Sequence, residues 1–323
     1  MRIKHKTIKG CAKCGSIDFT SQKDLAGKSY PTTCKNCETV NRKIVNQCPY
    51  CKSKKYSKWG KEIRNFYAVE CADCSLVYLK NPLNDKMQNL YYSKYATYVH
   101  QKLNIKKKQR KVMYQIELDY FIKCVNNFNK LKEVLDVGCG GGFFLDLIKK
   151  YKKKTYGLEI SEDSYEIAKK KHKMYFGKFN KKIFKKKKFD LIILRGVLEH
   201  VPNPKKYIYN AQKILKKNGY VFITATPDIK SISANLFKER WTQHRPESHI
   251  LHLGENHIDN LFPKRNYQKI GSKHLYLNTP YENFESDIKK IYLEIIRKEK
   301  KIKSKIISPA FFGNMMTLVF KKI

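Results

Sequence analysis

The stretch Val134-Leu135-Asp136-Val137-Gly138-Cys139-Gly140-Gly141-Gly142-Phe143-Phe144 decides the fold. A short apolar run carries one acidic residue, breaks into glycines and then resumes apolar spacing at a helical period. Glycines let a backbone approach a ligand without Cβ obstruction, and the helix N-terminus behind them favours negative charge. A nucleoside triphosphate would need Gly-Lys-Ser/Thr after the loop, and Phe143-Phe144 stands there instead. The one Gly-Lys-Ser, at Gly27-Lys28-Ser29, has Gln22 where the leading glycine belongs. A dinucleotide fits halfway: Gly138 and Gly140 match its fingerprint, but Phe143 takes the third glycine's place and Asp136 would repel a pyrophosphate. The same residues suit S-adenosylmethionine, which carries a sulfonium and an ammonium but no phosphate.

Outward from this loop the chain alternates short apolar strands with amphipathic helices. Strands are predicted at 133–137, 155–160, 174–179, 189–194 and 220–225, the last after a turn at Asn218-Gly219, with a final strand at 315–320. Helices are expected from the glycine loop to residue 151, from residue 163, and over 204–216. The alternation predicts an α/β, doubly wound, largely parallel sheet that binds ligands at the C-terminal strand ends. Glu159, ending the second strand, can accept hydrogen bonds from both ribose hydroxyls of a cofactor.

Eight of the ten cysteines lie in the first 74 residues as pairs Cys11/Cys14, Cys34/Cys37, Cys48/Cys51 and Cys71/Cys74. Each of the first four recurs 37 residues later, so the segment is a tandem duplication. Within each copy 19 residues separate the pairs, the spacing of a four-cysteine zinc site. Two zinc ribbons are therefore expected, each holding one structural Zn2+ with no position left for water. A disulfide framework is the alternative, and reducing compartments disfavour it. Cys124 and Cys139 fall outside the repeat and read as ordinary buried thiols.

Asp136-Val137-Gly138-Cys139-Gly140, Gly157-Leu158-Glu159-Ile160, Phe189-Asp190-Leu191-Ile192 and Gly196-Val197-Leu198-Glu199-His200-Val201-Pro202-Asn203-Pro204 resemble the successive motifs of class I S-adenosylmethionine-dependent methyltransferases. Leu215-Lys216-Lys217-Asn218-Gly219-Tyr220 with Thr226-Pro227 is similar to their fifth-strand motif. The resemblance implies a Rossmann-like seven-stranded sheet, with S-adenosylmethionine held by Asp136, Gly138, Cys139, Gly140, Glu159 and Ile160. Lys178 and Asn180 stand where the family usually carries an acidic contact to adenine. Cys71-Ala72-Asp73-Cys74-Ser75-Leu76-Val77-Tyr78 with Asn81-Pro82 resembles the N-terminal zinc module of bacterial methyltransferases acting on sugars, surface polysaccharides and secondary metabolites. That likeness implies a small-molecule acceptor, a sugar, nucleotide-linked sugar or polysaccharide precursor.

Methyl transfer from a sulfonium is an in-line displacement that depends on holding two reactants together away from water. A hydroxyl or carbon nucleophile must also lose a proton, which calls for a general base near the end of the fourth strand. His200 beside Glu199 is expected there as the catalytic pair, with shaping of the cofactor pocket as the alternative. Beyond the fifth strand, the polar run containing His244, His249 and His252 is expected to wall the acceptor pocket. Before the sheet, Ile105, Val112, Ile116, Tyr120 and Phe128 recur near helical spacing, marking a core-packing helix or a lid. Phe284, Ile288, Ile291, Ile295 and Ile296 mark a late helix expected to face the core.

The resulting division is ribbon 1 at 1–43, ribbon 2 at 44–80, a helical linker or lid at 81–130 and the methyltransferase domain at 131–323. Across all 323 residues, 68 Lys+Arg against 28 Asp+Glu give a net charge of +40, which invites an RNA-methyltransferase reading in which the ribbons grip phosphate. Only nine of these basic residues are arginine, the type that reads phosphate bidentately, so a solvated lysine-rich surface explains the charge more simply. A non-catalytic scaffold is the third alternative, and the glycine loop and Glu159 argue against it. No apolar run reaches membrane-spanning length and the N-terminal MRIKHKTIKG lacks an apolar core, so a cytoplasmic protein without membrane insertion is expected.

Overall fold

The computed structural model describes residues 19–23, 29–34, 42–93 and 104–323. Three sheets are present among them. β1 (Phe19–Lys23) and β2 (Ser29–Cys34) form an antiparallel pair. A second sheet joins β3 (Tyr56–Ile63), β4 (Phe66–Cys71) and β5 (Val77–Leu79), and takes β11 (Leu251–His252) from much later in the chain.

The third sheet is the frame of the molecule. Its strands are β6 (Glu133–Val137), β7 (Lys154–Glu159), β8 (Lys173–Phe176), β9 (Phe189–Arg195), β10 (Leu215–Pro227), β12 (Tyr267–His274) and β13 (Met315–Lys322). They lie in the order β12-β13-β10-β9-β6-β7-β8, seven in all. β10, β9, β6, β7 and β8 pair in parallel, while β13 is antiparallel to both β10 and β12. Alternation along the strands sends side chains to opposite faces. Leu135, Ile192, Leu194, Val221 and Ile223 join one core, and Val134, Leu191, Ile193 and Phe222 join the other. Asp190, from the fourth-strand motif, accepts from the amides of Lys132 and Glu133 at 2.9 and 2.8 Å and so locks β9 to the start of β6.

Helices α3 (Phe143–Lys149) and α2 (Asn104–Cys124) cover the face holding Phe222, where Phe121 lies 5.0 Å from that ring. α5 (Pro204–Ile214), capped by the Asn203 side chain, and α6 (Ile232–Phe237) cover the other face. α4 (Glu162–Lys169) follows β7, and α1 (Asp85–Ser93) follows the cysteine-bearing sheet. That sheet shares a core with the large one: Trp59, Phe66 and Leu76 belong to the same buried cluster as Phe237, Trp241 and Leu253. No helix among the described residues is long and apolar enough to cross a membrane.

Three expectations change. α2 buries Met113, Glu117, Leu118 and Phe121; of the residues expected to pack, Val112 is exposed, Ile116 and Tyr120 are half-buried, and Phe128, past the helix end, is in the core. The phase moves because Glu117 is a buried ion-pair partner, invisible to an apolar count. α7 (Phe284–Glu299) exposes Phe284, Ile288 and Ile295 and buries Asp287, Ile291 and Glu294. Its docking is polar: Arg240 clasps Glu294, and the Tyr276 hydroxyl donates to Asp287 at 2.8 Å. β10 begins at Leu215, with an irregular register across Asn218-Gly219 instead of a turn outside the strand. Ile291→Ala is expected to cost about 2–4 kcal/mol in urea unfolding. Ile288→Ala should stay within about 0.5 kcal/mol, the reverse of what equal core positions would give.

Candidate functional site

A cavity of about 720 Å³ lies along the C-terminal ends of β6, β7 and β9, where parallel strands leave their loops. On the β6 and β7 side its wall is the glycine loop. Gly138, Gly140 and Gly142 have φ of +75°, +55° and +79°, backbone that favours glycine. The Gly138 and Cys139 amides donate to the Leu158 carbonyl at 2.7 and 3.2 Å, which folds the loop over β7. Gly157 permits that approach, since a Cβ there would meet Met174 Sδ at 2.4 Å and Cys139 Sγ at 2.6 Å. Cys139 is thus a half-buried cavity-lining thiol held over β7, and Cys124, also half-buried, packs against Gly271.

Four buried carboxylates converge on this cavity. Glu159 has three backbone amides: Ile160 and Ser161 donate to Oε1, and Gly140 donates to Oε2, each at 2.8 Å. Glu117, on α2, receives Arg195 bidentately at 2.6 and 3.1 Å, and Arg195 also lies 4.4 Å over the Tyr114 ring. Asp136 and Glu199 are each 2% exposed, and each keeps one oxygen with no hydrogen-bond partner, Oδ1 of Asp136 and Oε2 of Glu199. Burial pushes the Asp136 carboxyl up to about 8 against the pull of Arg195, and pushes Glu199 to about 8 as well.

On the β9 side, a single turn at Leu198–His200 places Glu199 and His200 at the cavity. His200 Nε2 is 3.7 Å from Glu199 Oε1, and its Nδ1 lies 3.0 Å from the Ser248 carbonyl and 3.1 Å from the Tyr92 hydroxyl. The histidine triplet divides. His249 lines the cavity with its ring 4.8 Å from that of His200, and its Nδ1 is 2.7 Å from the Gln243 carbonyl. His244 and His252 instead contact each other at 2.9 Å, packed against Trp59, and burial holds His244 neutral, down to about 3. They join the cysteine-bearing sheet to the segment after β10. Sequence reasoning missed Tyr92, Glu117, Arg195, and the stacked pair Tyr281 and Phe311 (4.3 Å), all of which line the cavity. Lys178 and Phe179 line the β8 side.

Cys48, Cys51, Cys71 and Cys74 meet with their sulfurs within 4.8 Å of one another. Cys48 and Cys74 are 3.6 Å apart, Cys51 and Cys71 3.4 Å, near the ~3.8 Å edge of a tetrahedron with Zn–S bonds of about 2.3 Å. Burial pushes the Cys48 thiol up to about 11, whereas hydrogen bonds from neighbouring amides and thiols hold Cys71 below the usual thiol value. Cys11, Cys14 and Cys37 lie outside the described residues, and Cys34 closes β2.

With this geometry in hand, comparison with known proteins is specific. The profile of a family described as "Methyltransferase domain" matches residues 107–271. The ubiquinone biosynthesis O-methyltransferase of Pelagibacter ubique is 33% identical over 120 residues, covering 35% of this chain and 50% of that protein. The Coxiella burnetii protein of the same name is 33% identical over 102 residues, covering 29% and 44%. The chain thus spans about half the length of the curated relatives it matches. Magnesium protoporphyrin IX methyltransferase from Synechocystis, solved with bound SAH, superposes with a TM-score of 0.50 at 13% identity, covering 74% of this chain and 100% of that one, and shares the fold.

Removing Glu117 strands Arg195 in a cavity wall. Glu117→Ala is expected to destabilise the protein by about 3 kcal/mol, read as a lower denaturation midpoint, whereas an exposed surface pair would give less than about 1.

Proposed function

The chain belongs to the class I S-adenosylmethionine-dependent methyltransferases, and we propose that it moves the cofactor's methyl group to a hydroxyl oxygen of a small-molecule acceptor. The observation that carries this reading is Asp136 Oδ1, buried beside the glycine loop with no protein partner. A buried carboxylate that the protein leaves unpaired is costly unless a ligand's cation completes it. The cofactor's ammonium would do so and return Asp136 to its ionised form. Gly138, Cys139 and Gly140 would pass under the methionine part. Glu159, three of whose lone-pair directions are taken by amides, would offer the remaining one to the ribose. Ile160, partly exposed in the cavity, and Phe179 would flank adenine in place of the acidic contact seen in relatives of this fold.

Transfer then requires only that the acceptor oxygen reach the methyl in line while water is excluded. The S–CH3 bond breaks with its electron pair returning to sulfur, the O–CH3 bond forms, and the hydroxyl proton leaves. Glu199 and His200 are assigned the activation of that hydroxyl, and Tyr281 with Phe311 offer apolar surface for the rest of the acceptor. The relatives' names support oxygen as the methylated atom. A sugar or surface-polysaccharide precursor as acceptor rests on the likeness at Cys71–Asn81 alone, and gripping of RNA rests on surface lysines alone. Two structural zinc ions, one on Cys48, Cys51, Cys71 and Cys74 and one on Cys11, Cys14, Cys34 and Cys37, complete the reading.

Asp136→Asn should weaken S-adenosylmethionine binding by about 10–100-fold in calorimetry, the loss of one charge-assisted hydrogen bond. Unchanged affinity would move the cofactor elsewhere. His200→Asn should bind cofactor normally and lose turnover when methyl-labelled cofactor is offered with catechols and nucleotide-linked sugars in parallel. After treatment with a chelator too weak to strip the cysteines, elemental analysis should find two zinc ions per chain, falling to one in the double variant Cys71→Ser, Cys74→Ser.

A further inference from the structure

The acceptor side of the cavity holds a donor set that a general base alone does not explain. Glu199, His200 and His249 each bring one ligating atom to within 4.8 Å of the others. They come from two separate segments, the turn after β9 and the loop before β11, so the convergence is tertiary and not an accident of sequence adjacency. Glu199 is almost fully buried, and its Oε2 has no hydrogen-bond partner. The two imidazoles are held in one manner. His200 Nδ1 lies 3.0 Å from the Ser248 carbonyl and His249 Nδ1 lies 2.7 Å from the Gln243 carbonyl. A carbonyl can only accept, so each ring donates from Nδ1 and carries its lone pair on Nε2. Metal-binding histidines are fixed in this way, one nitrogen on a backbone carbonyl and the other on the ion. His200 Nε2 faces Glu199 Oε1 at 3.7 Å, too long for a hydrogen bond and a normal separation for two ligands of one ion.

We propose that Glu199, His200 and His249 bind a divalent transition cation whose open positions face the cavity and take the acceptor's hydroxyl. Two imidazoles and one carboxylate with positions left open are the donor set of zinc, manganese, cobalt and iron(II) sites, unlike the closed four-thiolate quartet. The ion withdraws electron density from the bound oxygen and lowers the pKa of its O–H. The O–H bond breaks with its proton passing to a water at the cavity mouth, the oxygen's electron pair forms the O–CH3 bond, and the S–CH3 pair returns to sulfur. The ion's oxidation state is unchanged. This deepens the methyl-transfer reading and rests on it: the same residues activate the acceptor, through an ion instead of by taking the proton themselves.

The test uses the full chain after treatment with a chelator too weak to strip the cysteines, its thiolate sites still zinc-filled, titrated with Mn2+ alone and followed by electron paramagnetic resonance. Mn2+ prefers oxygen and nitrogen donors and does not compete for the thiolates. One Mn2+ per chain is expected, with affinity lowered at least about tenfold in His249→Gln and in Glu199→Gln. The half-buried His200→Gln is the third variant, chosen because its fold is least at risk. S-adenosylmethionine affinity, measured in parallel, should be unchanged in all three. Methyl transfer should fall after treatment with a chelator too weak to strip the cysteines and return with Mn2+ or Co2+. Absence of a Mn2+ signal above the non-specific background in the unaltered protein overturns the proposal, as does binding that the variants leave untouched. A protein that binds Mn2+ through these residues but not S-adenosylmethionine would instead overturn the methyl-transfer reading and leave the cation site standing.

Discussion

Buried carboxyl groups whose hydrogen bonding the protein does not complete are the constraint around which this structure is arranged. Glu117, Asp136, Glu159 and Glu199 all face one cavity at the ends of parallel strands. Taking a carboxylate out of water is expensive, and each must recover the cost from something. Glu159 recovers it from backbone amides, and Glu117 from Arg195. Asp136 and Glu199 have an oxygen left over. Basic side chains line the cavity too, Arg195, Arg245 and Lys178 among them, yet none of them hydrogen-bonds Asp136 Oδ1 or Glu199 Oε2.

The two incomplete carboxylates stand on neighbouring strands, Asp136 on β6 and Glu199 just past β9. That adjacency gives the cavity two differently charged subsites along one sheet edge. One lies under a glycine loop suited to close backbone contact, the other among imidazoles. A methyl donor in the first and an oxygen in the second would meet between them, which is the arrangement an in-line displacement demands. Arg195 separates the two in sequence and pulls on both, lowering the tendency of each to take up a proton. Its pairing with Glu117 therefore does more than hold α2 in place.

Much of this was legible in the sequence where the signal is local. The glycine loop, Asp136, Glu159 and the Glu199-His200 pair each lie within a few residues of the strand that positions them. The central parallel strands followed from their apolar runs. What escaped is long-range or polar. Of the three histidines expected to wall the acceptor pocket, His249 lines the cavity, while His244 and His252 go instead to an aromatic seam with Trp59 that links distant segments. Glu117 and Glu294 are buried acids on helix faces, and both faces were misread because apolar periodicity counts a buried acid as surface. β12 is an edge strand of lysine, glutamine and serine with little alternation to betray it.

The cysteine-bearing sheet is tied into the cavity wall by backbone. Leu79 N donates to the Ile250 carbonyl at 3.0 Å, Ile250 N donates to the Glu199 carbonyl at 2.9 Å, and His257 Nε2 meets the Cys74 carbonyl at 2.8 Å. Glu199 is thereby moored to a strand of the sheet that carries the four-cysteine cluster. The part that looks detachable is a splint for the acceptor side, and a chimera that exchanged it for a homologous ribbon would inherit a foreign setting of the Glu199 backbone. Trimming or swapping at this seam should alter which acceptors are accepted before it alters cofactor binding, since among the described residues no backbone hydrogen bond ties the glycine loop to that sheet.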